Sequence, residues 1–206
     1  VLRRHIAGQP RNHQTRIGPS EIGVPCERRI GYKTAGVPEV NDRGVAWKPW
    51  VGTALHSETA MAFELDSLKN HNGGRWLLEE KVTAGQVNGT DLDGSCDLFD
   101  VHSGTVVDWK FTTRNKLRDY RAHGPGDQYR AQAHTYGLGW ANRGYPVLTV
   151  GVFFFTRDGE FTDRLFWSEP YQEQVATAAI ARADRIAALT TSLGPALALP
   201  LLGTAD

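Results

Sequence analysis

The chain has 206 residues, 40% hydrophobic and 22% charged, which suits one domain with a full core and argues against disorder. Lysine plus arginine and aspartate plus glutamate both number 23, so the formal charge is zero. That balance argues against a protein that coats nucleic acid nonspecifically, and leaves room for a local basic groove.

Residues 1–19 are polar and basic, with Arg3, Arg4, Arg11 and Arg16 among Gly and Pro, and read as an arm or loop. Ser20-Glu21 resembles a helix start that runs through Cys26-Glu27-Arg28-Arg29 to Tyr32. A Gly/Pro-rich segment, 36–50, leads to a second helix at about 52–69. Alternation and β-branched content then predict strands at about 76–84, 92–101 and 105–112, the last two joined through His102-Ser103-Gly104. A helix is expected over about 126–142, stopped by Gly144-Tyr145-Pro146. Val147 to Phe155 and Glu160 to Phe166 form a second hairpin around Arg157-Asp158-Gly159. An amphipathic helix over about 169–193 packs through Val175, Ala179, Ile180, Ala183, Ile186 and Leu189. The Leu/Ala/Pro stretch at about 194–206 reads as a loose tail. This order describes an α/β chain, a small mixed β-sheet of about five strands flanked by helices, in a single domain over 1–206.

Two cysteines, Cys26 and Cys96, are too few for a disulfide framework or a four-thiolate metal site. They read as reduced, small apolar residues. No secretory signal opens the sequence and its apolar runs are too short to span a membrane, so a cytoplasmic location without membrane contact is the expectation.

The chemistry concentrates in Val107-Asp108-Trp109-Lys110-Phe111. Side chains alternate along a strand, so Asp108 and Lys110 share one face while Val107, Trp109 and Phe111 share the other. A carboxylate and an ammonium inside an apolar strand are costly to bury unless something uses or neutralises them. A hard divalent cation does so, and Asp97 on the neighbouring strand brings a second carboxylate within one ion's reach. Cleaving a phosphodiester needs a positioned water, charge relief and a stabilised leaving oxygen, and one or two Mg²⁺ ions supply all three. Lys110 would then orient the water, help deprotonate it, or stabilise developing charge. Asp91 and Asp93 compete with Asp97 but fit a turn, and Asp100 falls on the opposite face as a structural residue. Gln132 and Tyr136, four apart, share a helix face. An exposed ion pair for Asp108 and Lys110, and a solvated face for Gln132 and Tyr136, are the alternatives.

Four local patterns stand in order over about residues 52–136. They are Gly52-Thr53-Ala54-Leu55-His56, Gly94-Ser95-Cys96-Asp97, Val107-Asp108-Trp109-Lys110 and Gln132-Ala133-His134-Thr135-Tyr136. The set resembles the PD-(D/E)XK nuclease superfamily and, within it, the RecB-like exonuclease branch that includes CRISPR-associated and phage recombination exonucleases. The resemblance implies a restriction-endonuclease-like core. It also implies Mg²⁺ or Mn²⁺ held by His56, Asp97, Asp108 and the Trp109 backbone carbonyl, with Glu58 as a reserve ligand. Lys110 becomes the catalytic lysine, and Gln132 and Tyr136 line the site. Many relatives bind an iron–sulfur cluster through four cysteines. Cys26 matches the first of these, but no cysteine cluster follows near the C-terminus, so no iron–sulfur cluster is expected.

The activity so implied is metal-dependent DNA exonuclease action in recombination or repair, in a phage setting within the host cytoplasm. DNA is the implied partner, alongside a recombination or replication protein, with oligomeric state open. A structure- or sequence-specific DNA endonuclease and a catalytically idle DNA-binding module remain as alternatives. Arg28, Arg29, Arg114, Lys116, Arg118 and Arg121 are candidates for phosphate contact, or plain surface. Trp47 and Trp50, beside Lys48 in a Pro/Gly segment, form an aromatic–basic mix that suits single-stranded ends.

Overall fold

A computed structural model describes residues 1–9, 16–38, 40 and 44–205. In chain order it has helices α1 (Leu2–Ala7), α2 (Pro19–Ile22), α3 (Glu27–Thr34) and α4 (Trp47–Asn70), then strands β1 (Trp76–Val87), β2 (Thr90–Asp100) and β3 (Thr105–Thr112). Helices α5 (Arg114–His123) and α6 (Gly126–Asn142), strands β4 (Thr149–Thr156) and β5 (Arg164–Pro170), and helices α7 (Glu173–Leu193) and α8 (Pro195–Ala198) follow. A 3₁₀ turn at Leu199–Leu201 comes last.

The five strands form one mixed sheet in the order β1-β2-β3-β4-β5. Neighbours are antiparallel except β3 and β4, which run parallel from Thr105↔Thr149 to Thr112↔Thr156. Parallel neighbours require a crossover, and α5 with α6 supplies it. The expected five-strand mixed sheet flanked by helices is therefore the observed architecture.

One face of the sheet packs against α6. Trp140 stacks on Phe99 with ring centroids 4.7 Å apart, and Tyr120 of α5 stacks on Phe154 at 4.4 Å. Gly139 allows the helix to lie close to β1, since a Cβ there would meet the Val82 side chain at 2.6 Å. The other face carries α4, whose Phe63 stacks on Trp109 at 5.5 Å. A second cluster joins Ile30, Ala183, Ile186, Leu199 and Leu202 away from the sheet centre.

Several local expectations change: α4 begins at Trp47, inside the stretch expected as a Gly/Pro-rich lead-in, and the second strand of the later hairpin is Arg164–Pro170 rather than Glu160 to Phe166. The basic N-terminal stretch contains α1, whose Ile6 is buried. The segment after β3 is helical, with Thr113 capping α5 by accepting from the Lys116 N–H. The segment from 169 begins as the end of β5, and its helix starts at Glu173. The stretch expected as a loose tail folds into α8 and the 3₁₀ turn, burying Ala198, Leu199 and Leu202 because its leucines complete the second cluster. Among the described residues no helix is long and apolar enough to cross a membrane.

Candidate active site

Asp97 stands near the middle of β2, where the paired register with β3 stops at Leu98↔Val107. Beyond that point the Trp109 N–H donates to Asp97 Oδ2 at 2.6 Å, so a carboxylate replaces the missing strand carbonyl. The other oxygen, Oδ1, lies 3.1 Å from Nδ1 of His56, which α4 lowers onto the sheet. Gly94, three residues earlier, leaves room for neighbours: a Cβ there would sit 2.7 Å from Pro19 and 3.0 Å from the Tyr136 ring.

Asp108 is buried, with 2% of its surface exposed. Its Oδ1 accepts from Gln132 Nε2 at 2.8 Å and its Oδ2 pairs with the Lys110 ammonium. Beside them in β4 lie Val152 and Phe154, so the pair sits in apolar surroundings as its strand position predicts. Lys110 Nζ also stands 5.3 Å from the centre of the Tyr129 ring. The Tyr136 side chain is buried on the same helix as Gln132.

Burial pushes the Asp108 carboxyl above the usual carboxylate range, and the charge of Asp97 adds to this, while Lys110 opposes it. Burial pulls the His56 imidazole down, but the Asp97 hydrogen bond and charge outweigh it and leave its pKa raised. Tyr136 is held well above its ordinary value, first by burial and then by the charges of Asp108 and Asp97, so it stays a neutral phenol.

Sequence reasoning passed over Glu79. It occupies the β1 register position between Leu78↔Leu98 and Glu80↔Cys96, directly across from Asp97. Its backbone is left-handed, with φ of 51°, a conformation that non-glycine residues seldom adopt inside a strand. His56, Glu79 and Asp97 each offer one ligand atom, and all lie within 4.8 Å of one another. Burial, then the Asp97 charge, raises the Glu79 carboxyl. An imidazole and two carboxylates at this spacing form a donor set that suits a divalent cation. The adjacent acids Glu79-Glu80 were visible in the sequence, but nothing local indicated which would turn inward. The reserve candidate Glu58 is exposed and outside this group.

The structure therefore gathers His56, Asp97, Trp109, Asp108, Lys110, Gln132 and Tyr136 around one place, and Glu79 stands with them. The basic candidates are elsewhere or engaged. Arg28 donates to the carbonyls of Leu199, Pro200 and Leu202, tying down the C-terminal segment. Arg29 faces Glu21 at 4.0 Å, and Arg114 binds Asp163 at 2.7 Å. Lys116 pairs with Asp119 at 3.5 Å, and Arg118 donates to Asn115, all on α5. Asp100, expected to be structural, accepts from Arg75 at 3.2 Å and from the His102 N–H. Cys26 and Cys96 are both free. Trp47 and Trp50 pair at 5.2 Å on the first turn of α4.

No family model and no curated protein matches the chain. Among solved structures, LHK-Exo in complex with dAMP matches with a TM-score of 0.58 at 10% identity, over 86% of this chain and 89% of that one. SSO0001 matches with a TM-score of 0.51 at 16% identity, over 94% of this chain and 82% of that one. At these identities the likeness is one of fold.

Proposed function

We propose that this chain is a metal-dependent DNA exonuclease of the RecB-like branch of the PD-(D/E)XK superfamily. The observation that carries the reading is the buried Asp108–Lys110 pair set beside the His56–Glu79–Asp97 donor set. Its setting in the fold shared with LHK-Exo, whose structure holds the nucleotide dAMP, supports DNA as substrate. The resemblance of the four sequence patterns adds a role in recombination or repair, and a phage context.

The residues that would hold Mg²⁺ or Mn²⁺ are His56, Asp97 and Asp108 with the Trp109 carbonyl, and Glu79 joins them by position. The chemistry of the set fits: hard oxygen donors with one imidazole, gathered where a buried carboxylate already resists ionisation. When bound, such an ion supplies Lewis-acid polarisation of the phosphate and an activated water. The protein's own part follows from the contacts. Gln132 fixes Asp108 through its amide, and Asp108 in turn holds the Lys110 ammonium. That ammonium orients the attacking water and meets the negative charge that develops on phosphorus-bound oxygen as the P–O bond breaks. Tyr136, kept neutral, walls the site and excludes bulk water.

End-labelled linear DNA incubated with and without Mg²⁺ or Mn²⁺ tests this. Nucleotides should be released from an end only with metal, and Lys110→Ala should slow release by about 10²–10⁴-fold while the circular dichroism spectrum is unchanged. A wild-type protein that cuts nothing, or a fully active Lys110→Ala, overturns the reading. Cleavage of covalently closed circles would instead make it an endonuclease.

A further inference from the structure

The face of the sheet that carries α4 is finished only in part. The helix rests on β1, β2 and β3, and register places Phe153 beside Trp109, Phe155 beside Phe111, and Phe166 beside Phe153 on that same face. Phe166 is 48% exposed, and Phe161, in the β4–β5 loop, is 74% exposed. The rings form a connected cluster that begins at the candidate metal ligand and branches at Phe155. His56 lies 5.5 Å from Phe111, which stacks on Phe155 at 5.4 Å and 18°. Phe155 meets Phe153 at 4.3 Å and stacks on Phe161 at 6.3 Å and 25°.

One cation is fixed on this cluster. The Arg164 guanidinium stands 4.6 Å from the centre of the Phe161 ring and donates to the Phe161 carbonyl at 3.0 Å. Among the described residues no carboxylate pairs with it, because Asp163 next to it is taken by Arg114. Trp50 precedes His56 by six residues of α4, about 9 Å of helix rise.

We infer that the rings of Phe111, Phe155, Phe153, Phe161 and Phe166, with Arg164, form a stacking platform for the unpaired bases of a DNA single strand that leads to His56. This rests on the nuclease reading above. Exposed aromatic rings such as Phe161 and Phe166 offer surfaces that any base can stack on, so such a platform is tolerant of sequence. The guanidinium complements the phosphate backbone between stacked bases. Continuity with His56 distinguishes this face from an ordinary apolar patch, because a strand lying along the rings delivers its end to the donor set.

Anisotropy of a labelled ten-nucleotide oligothymidylate, with Ca²⁺ in place of Mg²⁺, measures the binding. Phe161→Ala combined with Phe166→Ala should weaken it by about tenfold or more, and Phe161→Trp should preserve it. Arg164→Gln should weaken it and flatten its salt dependence. Mn²⁺ binding by calorimetry should be unchanged in all of them, which separates loss of the platform from loss of the fold. Wild-type affinity in the double alanine variant overturns the inference. So does a wild-type dimer that the double variant converts to monomer while oligonucleotide binding stays constant, since the face would then belong to a second copy. Metal-dependent cleavage is scored separately: cleavage with ring-independent binding sinks this inference alone, and ring-dependent binding without cleavage sinks the nuclease reading alone.

Discussion

Against one face of the sheet α6 buries every residue from Ala131 through Trp140, whereas on the other the 24-residue α4 buries only Ser67. The two helices do different work. The closed face removes water from Asp108, Gln132 and Tyr136, and so keeps Asp108 and Tyr136 more firmly protonated and holds all three in one geometry. The open face leaves His56 half-buried, Glu79 exposed and the phenylalanine cluster reachable. On the nuclease reading proposed above, the site must both perturb charges and admit a polymer, and a boundary between two such faces serves both. Asp97 marks it, buried itself yet bonded to His56 on one side and to the backbone of β3 on the other.

Paired truncations probe that contrast most strongly. Trp140→Ala, deleting a fully buried ring stacked on Phe99, should cost about 3–5 kcal/mol in urea unfolding. Met61→Ser on α4, at a position 48% exposed, should fall within about 0.5 kcal/mol of wild type. Equal losses would erase the distinction between the faces. Metal comes next in size: Mn²⁺ at a hundredfold excess over its dissociation constant should stabilise the fold by about 2.7 kcal/mol in thermal melts. Glu79→Gln should need more Mn²⁺ for the same shift. If it does not, Glu79 is no ligand and its left-handed backbone has another cause.

The smallest effect contrasts two histidines. His134, on α6, is depressed by burial, partly offset by its bond to Glu169 at 2.6 Å, while His56 is raised by Asp97 despite burial. A group that holds its proton more tightly when folded contributes stability in full below its unfolded pKa and loses it as pH rises through the folded one. His56 therefore contributes below pH 6.5 and loses that contribution at higher pH. His134 runs the other way, its contribution present above pH 6.5 and lost as pH falls toward its folded pKa. Imidazole resonances of the metal-free protein followed by NMR should titrate His56 above His134, and the reverse order would contradict the assignment of faces.

Much of the site was legible because its logic is local. Alternation alone set Asp108 and Lys110 on one side of β3, and helical spacing alone set Gln132 and Tyr136 on one side of α6. The helix expected over 126–142 is α6 itself. Helix α5 was missed because Arg114-Asn115-Lys116-Leu117-Arg118-Asp119 offers one apolar residue, Leu117, where periodicity needs several. The C-terminal segment was misread because Leu199 and Leu202 are stabilised by α3 and α7, elements distant in the chain.

The sequence by itself determined which residues share a strand face or a helix face, since pleat and helical turn repeat every few residues whatever surrounds them. Only the tertiary structure decided that Glu79, rather than Glu80 or Glu58, comes within 4.8 Å of His56 and Asp97. It also decided that a cluster of rings continues outward from them. Those facts depend on the β1–β2 register and on where α4 crosses the sheet. The register also carries an irregularity between Thr83 and Gln86, and the helix crossing is fixed by packing between residues tens of positions apart, which no local pattern encodes.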